Sequence, residues 1–263
     1  MRTLTLSLIQ KAPRLGDLEA NLRMAEAAIE QAADAGGQLI CFPELFLTGY
    51  HPDLIGERWS VLAQRLDGPA LSRLSSLAGQ RGVAIVVGFA QCGSVPGEIT
   101  NAAAVIGPQG RIIGSYAKMH AFGSEGRWFS RGHALPVFDV LGVRLGVMIC
   151  YDAGFPEVAR SLAIRGAELL VVPAAWIDSD EDLWQLNIPS RALDNLVFAA
   201  GVNRVGEEGS LAFIGRSLIV GPRGQVLAQA AKWSEEILTY RLDLDQVQMA
   251  RSQVGYWRDR RPD

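Results

Sequence analysis

The stretch that most constrains the fold is residues 142–160, GVRLGVMICYDAGFPEVAR. Its apolar run, residues 143–149, is typical of a buried strand, and Pro156 lies where the first turn of a helix tolerates a residue without an N–H. Cys150 is therefore predicted at the carboxyl end of a strand, the edge at which open α/β sheets place their chemistry. The alternative interpretation is a buried thiol that packs as a small hydrophobic side chain.

Two further segments place a charged residue at the end of an apolar strand. Glu44 follows residues 39–42 and is surrounded by aromatic and aliphatic residues, which should desolvate its carboxylate and raise its pKa toward that of a general base. Lys118 follows the strand-like run 112–117. It is one of three lysines in a chain that uses arginine far more often, which indicates a need for a compact ammonium there. Taken singly, each residue could instead be structural, as a strand-end carboxylate or as a lysine whose stem covers apolar surface.

Together these segments resemble the nitrilase superfamily of carbon–nitrogen hydrolases, in which a glutamate, a lysine and a cysteine occur in this order. FPELFLTGY, YAKMHAFG and ICYDAGFPEVAR resemble its three catalytic motifs and put Glu44, Lys118 and Cys150 at the catalytic positions. Glu125 falls where many members carry a second glutamate that positions the substrate and the lysine. The resemblance runs from the first strand to the terminal RDRRPD and includes the segment LLVVPAAW, which ends at Trp176.

The order of predicted elements indicates the same fold class as the resemblance. Helices predicted at residues 18–33, 69–81 and 156–165 alternate with strands and occasional hairpins, which is typical of an α/β protein with mixed β-sheets covered by helices. The resemblance sharpens this to a four-layer αββα sandwich formed by one domain, residues 1–263. It also implies a homodimer or higher homo-oligomer, in which residues 254–263 are expected to contact a neighbouring subunit.

The residue types favour thiol chemistry. A Lys118 ammonium should lower the cost of forming a thiolate at Cys150 and offer N–H donors to the oxyanion of a tetrahedral intermediate. Glu44 can accept the thiol proton, transfer it to departing ammonia and later activate water on the thioester. The backbone N–H of Tyr151 is the expected second oxyanion donor, as the resemblance also implies. The residues predicted to bind substrate are Tyr50, Tyr151 and Trp176.

These observations predict a thiol amidase that uses no cofactor and no metal and converts a small-molecule carboxamide to a carboxylic acid and ammonia through a Cys150 acyl-enzyme. The CYD sequence after the strand resembles amidases of the superfamily more than nitrilases, which usually carry CWE. An N-carbamoyl amine or amino acid hydrolase would use the same triad on a ureido carbon and is the alternative. A nitrilase and a catalytically idle interaction subunit are less favoured.

Composition and the absence of other motifs disfavour several other classes of protein. A formal net charge of −3 disfavours nucleic-acid and anionic-membrane partners. No apolar run approaches the roughly 18 residues of a membrane span, and MRTLTLSLIQ enters a strand without a signal-peptide pattern. GxSxG, HExxH, P-loop and GxGxxG motifs are absent from the sequence. The three cysteines form no CxxC pair, which suits a reducing compartment and predicts a cytoplasmic protein. Asp152, close to the predicted nucleophile, is expected to anchor backbone amides.

Overall fold

The computed structural model describes residues 1–261. Pro262 and Asp263, the end of the predicted contact tail, lie outside the described residues. The strands are β1 (Thr3–Gln10), β2 (Leu39–Cys41), β3 (Ala84–Cys92), β4 (Ile99–Ile106), β5 (Ile112–Ala117), β6 (Val137–Val140), β7 (Val143–Val147), β8 (Leu169–Ala174), β9 (Phe198–Asn203), β10 (Val205–Glu208), β11 (Leu211–Ile214), β12 (Leu218–Val220), β13 (Val226–Gln229) and β14 (Glu236–Asp243). The helices are α1 (Leu18–Asp34), α2 (Pro52–Ile55), α3 (Trp59–Leu62), α4 (Pro69–Arg81), α5 (Pro156–Ile164), α6 (Glu181–Asn195) and α7 (Asp245–Gln253).

Two six-stranded mixed sheets form the centre of the molecule. Their strand orders are β14-β1-β2-β3-β4-β5 and β13-β12-β9-β8-β7-β6, and β10 and β11 form a separate two-stranded sheet. In each large sheet three neighbouring central strands are parallel, β1 to β3 in the first and β7 to β9 in the second. The outer strands pair antiparallel. The predicted mixed sheets are confirmed.

Side chains that alternate between the two faces of each strand explain why the sheets and helices stack in layers. In β1, Leu4, Leu6 and Leu8 belong to the core shared with the second sheet, whereas Ile9 belongs to the core beneath α1 and α4. Helices α5 and α6 pack on the second sheet, and their apolar residues belong to its core. Both sheets are thus buried on two faces, which explains why central strands are continuous apolar runs. The predicted αββα arrangement is confirmed.

Two parts of the chain add to the elements predicted from the sequence. The segment 51–60 forms the short helices α2 and α3, because Pro52 occupies a first helical position and the His51 side chain accepts a hydrogen bond from the Leu54 N–H. Helix α7 was not predicted, because its apolar positions are few. Within residues 1–261 no helix has both the length and the apolar character needed to cross a membrane.

The described part of the C-terminal tail packs on its own chain. The Trp257 Nε1–H donates to the backbone oxygen of Asn195 at 2.8 Å, and the Arg251 guanidinium lies 4.6 Å from the Trp257 ring centroid. Tyr256 is exposed. The expected contact of this tail with a second subunit stays a prediction.

Candidate active site

Glu44 is held in a loop just beyond β2, where burial is complete. The loop packs so closely on β3 that a Cβ atom at Gly88 would lie 2.3 Å from the Pro43 carbonyl oxygen, so a side chain there would displace the loop. The Glu44 carboxylate is fully buried and accepts hydrogen bonds from Asn101 Nδ2 at 2.7 Å and from the Ala175 N–H at 3.0 Å. Because Ala175 follows β8, the second sheet helps to hold a carboxylate supplied by the first.

The Lys118 ammonium lies between two buried carboxylates. Its Nζ donates to Glu44 Oε1 and to Glu125 Oε1, each at 2.7 Å. Glu125 also accepts hydrogen bonds from the Tyr50 hydroxyl at 2.7 Å and from the Phe122 N–H at 3.1 Å. Side chains of Glu44, Lys118 and Glu125 are 2% exposed or less. The two glutamates and the lysine, distant in sequence, therefore form one rigid cluster.

This cluster has two carboxylates for one ammonium, and the pKa directions reflect that imbalance. Burial raises the pKa of Glu44, and the Lys118 ammonium offsets only part of that effect. For Lys118, burial by itself would lower the pKa, but the Glu125 and Glu44 carboxylates outweigh it and raise the pKa. The lysine is thus held as a cation, while Glu44 is a stronger base than an exposed glutamate.

Cys150 lies directly beyond β7 in a backbone conformation that favours glycine. Its φ is +48°, and it begins the 3₁₀ turn Cys150–Gly154. A non-glycine residue in this left-handed region costs on the order of 1 to 3 kcal/mol and persists where neighbouring contacts enforce it. Asp152 supplies such contacts, because its carboxylate accepts hydrogen bonds from the Ile149 N–H at 3.0 Å and the Tyr116 hydroxyl at 2.7 Å.

Asp152 also fastens the segment that follows Lys118. Its Oδ1 accepts from the His120 N–H at 3.0 Å and lies 2.8 Å from His120 Nδ1. The His120 ring stacks on Phe155, with centroids 3.7 Å apart. The predicted role of Asp152 as an anchor for backbone amides agrees with these bonds, which tie the cysteine turn to the lysine segment.

The Cys150 thiol differs in one respect from the sequence expectation. It is only 6% exposed, and burial raises the pKa of the thiol well above its usual value. The Glu44 carboxylate raises that pKa further, and the Lys118 ammonium lowers it by less than these two effects. The Lys118 ammonium therefore shifts the pKa of the thiol in the direction expected from the sequence, but desolvation and a nearby carboxylate outweigh it. The resting group is a thiol that needs a base.

One pocket opens onto the Cys150 side chain. Its volume is about 260 Å³, which is smaller than the roughly 300 to 1,000 Å³ of sites for drug-sized ligands and suits a small molecule. The residues that line it are Phe122, Cys150, Tyr151, Gly154, Ala175, Trp176, Ile177, Asp180, Leu183 and Asn187.

Comparison with known families shows the family to which the chain belongs. A family model described as Carbon-nitrogen hydrolase matches residues 5–252. The chain belongs to the carbon–nitrogen hydrolase family. It is consequently an enzyme that acts on carbon–nitrogen bonds, and its relatives include proteins named nitrilases as well as proteins named amidases.

An (R)-stereoselective amidase from a Pseudomonas species is 37% identical over 97% of this chain and 91% of its own length. An N-carbamoylputrescine amidase from Arabidopsis thaliana is 32% identical over 94% of this chain and 89% of its own length. A glutamate-to-glutamine mutant of the amidase from Nesterenkonia sp. AN1, with the acetamide moiety of fluoroacetamide added covalently at its active-site cysteine, superposes with a TM-score of 0.86 at 31% identity, covering 98% of this chain and 94% of that one.

The predicted site residues of this carbon–nitrogen hydrolase occupy two connected layers. Glu44, Lys118 and Glu125 form the buried cluster, and Tyr50 lies within it, bonded to Glu125 and 2% exposed. The pocket lining contains Cys150 and the two predicted substrate-binding residues Tyr151 and Trp176, but not Tyr50. The placement of Tyr50 fits a positioning residue for Glu125 better than direct contact with substrate.

Sequence reasoning missed several residues of the site. Asn101, which bonds Glu44, carried one signal: it is a polar residue inside the apolar β4 segment ITNAAAVI. Tyr116, which bonds Asp152, and the Ala175 N–H carried no comparable signal, because strand pairing alone brings them to the site. Among residues 1–261, no three His, Cys, Asp or Glu side chains are grouped so that they could hold a metal ion.

Proposed function

We propose that this carbon–nitrogen hydrolase converts a small carboxamide to a carboxylic acid and ammonia through a thioester on Cys150. The observation that carries the proposal is the cluster in which Lys118 Nζ contacts Glu44 and Glu125 at 2.7 Å each, next to a thiol that opens onto a small pocket. A general base, a fixed cation and a nucleophile are the three groups that amide cleavage by a thiol requires.

Acylation begins with transfer of the Cys150 thiol proton to Glu44 as Sγ attacks the amide carbon. The raised pKa of Glu44 brings its basicity closer to what this transfer needs. The developing oxyanion accepts hydrogen bonds from Lys118 and from the Tyr151 N–H, which lies at the start of a 3₁₀ turn where amides lack acceptors within the turn. The carbon–nitrogen bond then breaks, Glu44 returns the proton to the leaving nitrogen, and ammonia departs.

Hydrolysis of the thioester uses the same groups. Glu44 takes a proton from the attacking water, and the second tetrahedral intermediate is stabilised by the same oxyanion donors. The carbon–sulfur bond breaks, the acid departs and Cys150 regains its proton. Glu125 does not exchange protons in this scheme; it orients Lys118 and the substrate amide through hydrogen bonds.

A second candidate function is hydrolysis of an N-carbamoyl amine or amino acid. It is favoured by the relative named as an N-carbamoylputrescine amidase and by the fact that a ureido carbon accepts the same attack. The two candidates differ in their products, because a carbamoyl substrate releases carbon dioxide as well as ammonia.

The test combines trapping with product analysis. A short pulse of p-nitrophenyl acetate should add one acetyl group to Cys150, detected by mass spectrometry of the digested protein, and Cys150→Ala should take up none at that position. Ammonia release from short aliphatic amides without carbon dioxide supports the amidase. Carbon dioxide release from carbamoyl compounds, with amides untouched, would favour the second candidate. Acylation of Cys41 or Cys92 instead of Cys150 would overturn the scheme.

We also propose that the enzyme is cytoplasmic and at least a dimer. Its three cysteines are free, as suits a reducing compartment, and Tyr256 offers an exposed aromatic side chain near the chain end. Light scattering at micromolar concentration should give at least twice the mass of one chain, and a monomer would contradict the proposal.

A further inference from the structure

The outer wall of the pocket is one face of a helix. Asp180, Leu183 and Asn187 line the pocket and lie at the start of α6 with spacings of three and four residues, so they project from one side of the helix. Phe122, Tyr151 and Trp176 add aromatic surface to the lining. The part of a substrate beyond its amide group must contact this helix face and these aromatic side chains.

The charge of this pocket has one sign. Its ten lining residues include no lysine, arginine or histidine, and Asp180 is their one ionisable carboxylate. The catalytic cluster behind Cys150 adds no spare cation, because Lys118 already contacts two carboxylates. An anionic group on the substrate would therefore enter the pocket without a partner.

The Asp180 carboxylate makes no capping hydrogen bond with α6. Asp180 is the N-cap residue of α6, a position where aspartate ordinarily accepts a hydrogen bond from the first turn, but its side chain makes no capping bond. Its backbone oxygen, not its carboxylate, accepts from Trp176 Nε1 at 2.7 Å. The carboxylate contacts the Ser179 hydroxyl at 3.3 Å.

Two cations that contact Glu181, the residue next to Asp180, are paired with carboxylates other than Asp180. Lys232 pairs with Asp178 at 2.8 Å and with Glu181 at 2.6 Å, and Arg216 pairs with Glu181 at 3.1 Å. Among the described residues no ion pair is formed by Asp180. Its negative charge is thus left to act on whatever occupies the pocket, and it opposes the attraction of the α6 N-terminus for an anion.

From these contacts we infer that the enzyme selects amides whose acyl chain is apolar or ends in a cation, and that Asp180 rejects amides whose chain ends in a carboxylate. The aromatic side chains and Leu183 in the lining favour burial of methylene groups. A carboxylate placed beside Asp180 loses water and meets a like charge, which is costly in a partly buried site. This inference rests on the proposed function and specifies its substrate class.

Three amides of matched length and different end group test the inference. They are 5-methylhexanamide, 5-aminopentanamide and the monoamide of glutaric acid, compared by kcat/KM from ammonia release. For the wild type we expect the neutral and cationic amides to exceed the anionic one by at least about thirtyfold. Equal or faster hydrolysis of the anionic amide would overturn the inference.

Two variants assign the selectivity to one carboxylate. Asp180→Asn should raise the ratio of kcat/KM for the anionic amide to that for the cationic amide by about tenfold or more. Asp182→Asn makes the same change in net charge at an exposed residue outside the lining, and should change that ratio by less than about twofold because exposed charges are screened. Equal shifts in both variants would overturn the assignment to Asp180.

The trapping experiment separates failure of this inference from failure of the proposed function. If p-nitrophenyl acetate acylates Cys150 but none of the three amides is hydrolysed, the substrate class is wrong and the thiol chemistry stands. If Cys150 takes up no acyl group and no amide is hydrolysed, the proposed function fails and the substrate class fails with it.

Discussion

Two buried clusters of charged side chains within residues 1–261 differ in their balance of positive and negative charge. The cluster around Lys118 joins one ammonium to two carboxylates, each at 2.7 Å from Nζ. The other pairs Arg204 with Glu208, one cation with one anion, at side-chain exposures of 1% and 2%. Both clusters are buried from water. They therefore differ in the number of carboxylates per cation and not in their exposure.

The Arg204–Glu208 pair has its hydrogen-bonding groups occupied by its own surroundings. Glu208 accepts from the N–H groups of Tyr50 and His51 at 2.9 and 2.7 Å, and Arg204 Nη2 donates to the Pro13 oxygen at 3.3 Å. The Arg204 guanidinium also lies 4.2 Å from the Phe213 ring centroid. The balanced Arg204–Glu208 pair uses its hydrogen bonds to fix the loop that carries Tyr50. The unbalanced cluster lies beside the Cys150 thiol, and burial raises the pKa of Glu44 there, so that this carboxylate can take a proton.

The largest expected effect is on catalysis, from Glu44→Gln. The substitution keeps the shape and removes the base, so kcat for amide hydrolysis should fall by about 10³-fold or more. Both half-reactions should slow, measured as acylation by a brief ester pulse and as loss of the acyl mass with time. A Glu44→Gln enzyme that releases the acid at the wild-type rate would show that the base lies elsewhere.

The same variant should change how stability depends on pH. Burial raises the pKa of Glu44 above its ordinary 4.5, so ionising it costs more in the folded than in the unfolded chain. Its contribution to the free energy of unfolding is full below pH 4.5 and declines as pH rises through the folded pKa. Glu44→Gln removes that decline, so denaturant titrations should show that its free energy of unfolding falls less between pH 4.5 and about pH 8 than that of the wild type. The acidic limb of the wild-type activity profile should likewise lie above pH 4.5.

The second effect is on stability, from Glu208→Gln. It leaves the buried Arg204 charge without its anion, and removing one partner of a buried pair typically costs about 3 to 5 kcal/mol. Urea denaturation should show that loss, and the double variant Arg204→Met with Glu208→Leu should recover part of it. If Glu208→Gln lowers the free energy of unfolding by less than about 1 kcal/mol, the Arg204–Glu208 pair does not stabilise the fold as a buried, balanced pair should.

Glu125→Gln is expected to have an intermediate effect that depends on the substrate. Because Glu125 orients Lys118 and the amide but transfers no proton, amide kcat/KM should fall by about 100-fold while acylation by p-nitrophenyl acetate falls by less than about tenfold. Equal losses for ester and amide, together with slow acylation and slow release of the acyl group as expected for Glu44→Gln, would assign proton transfer to Glu125.

Tyr50→Phe should give the smallest effect. It removes one hydrogen bond to the Glu125 carboxylate, which should lower amide kcat/KM by about tenfold. In the Glu125→Gln background the same substitution should cost much less, since the two residues act as one unit. Additive losses in the double variant would mean that Tyr50 contacts the substrate directly.

The sequence by itself predicted the fold class and the groups that are proposed to react. It predicted the helix at residues 69–81, which is α4, and apolar runs that end on Glu44, Lys118 and Cys150 indicated the base, the cation and the nucleophile, in that order. These features are local, because a short run of residues carries both the strand and the residue that ends it.

Tertiary structure alone decided how those groups are charged and what accompanies them. The raised pKa of the Cys150 thiol comes from burial between two sheets and from Glu44, and neither is visible from one segment. Asn101, Tyr116 and the Ala175 N–H reach the site only through strand pairing. Asp180 lines the pocket because α6 packs beside the cysteine turn. Desolvation and charge proximity depend on distances through space, so local patterns along the chain cannot predict them.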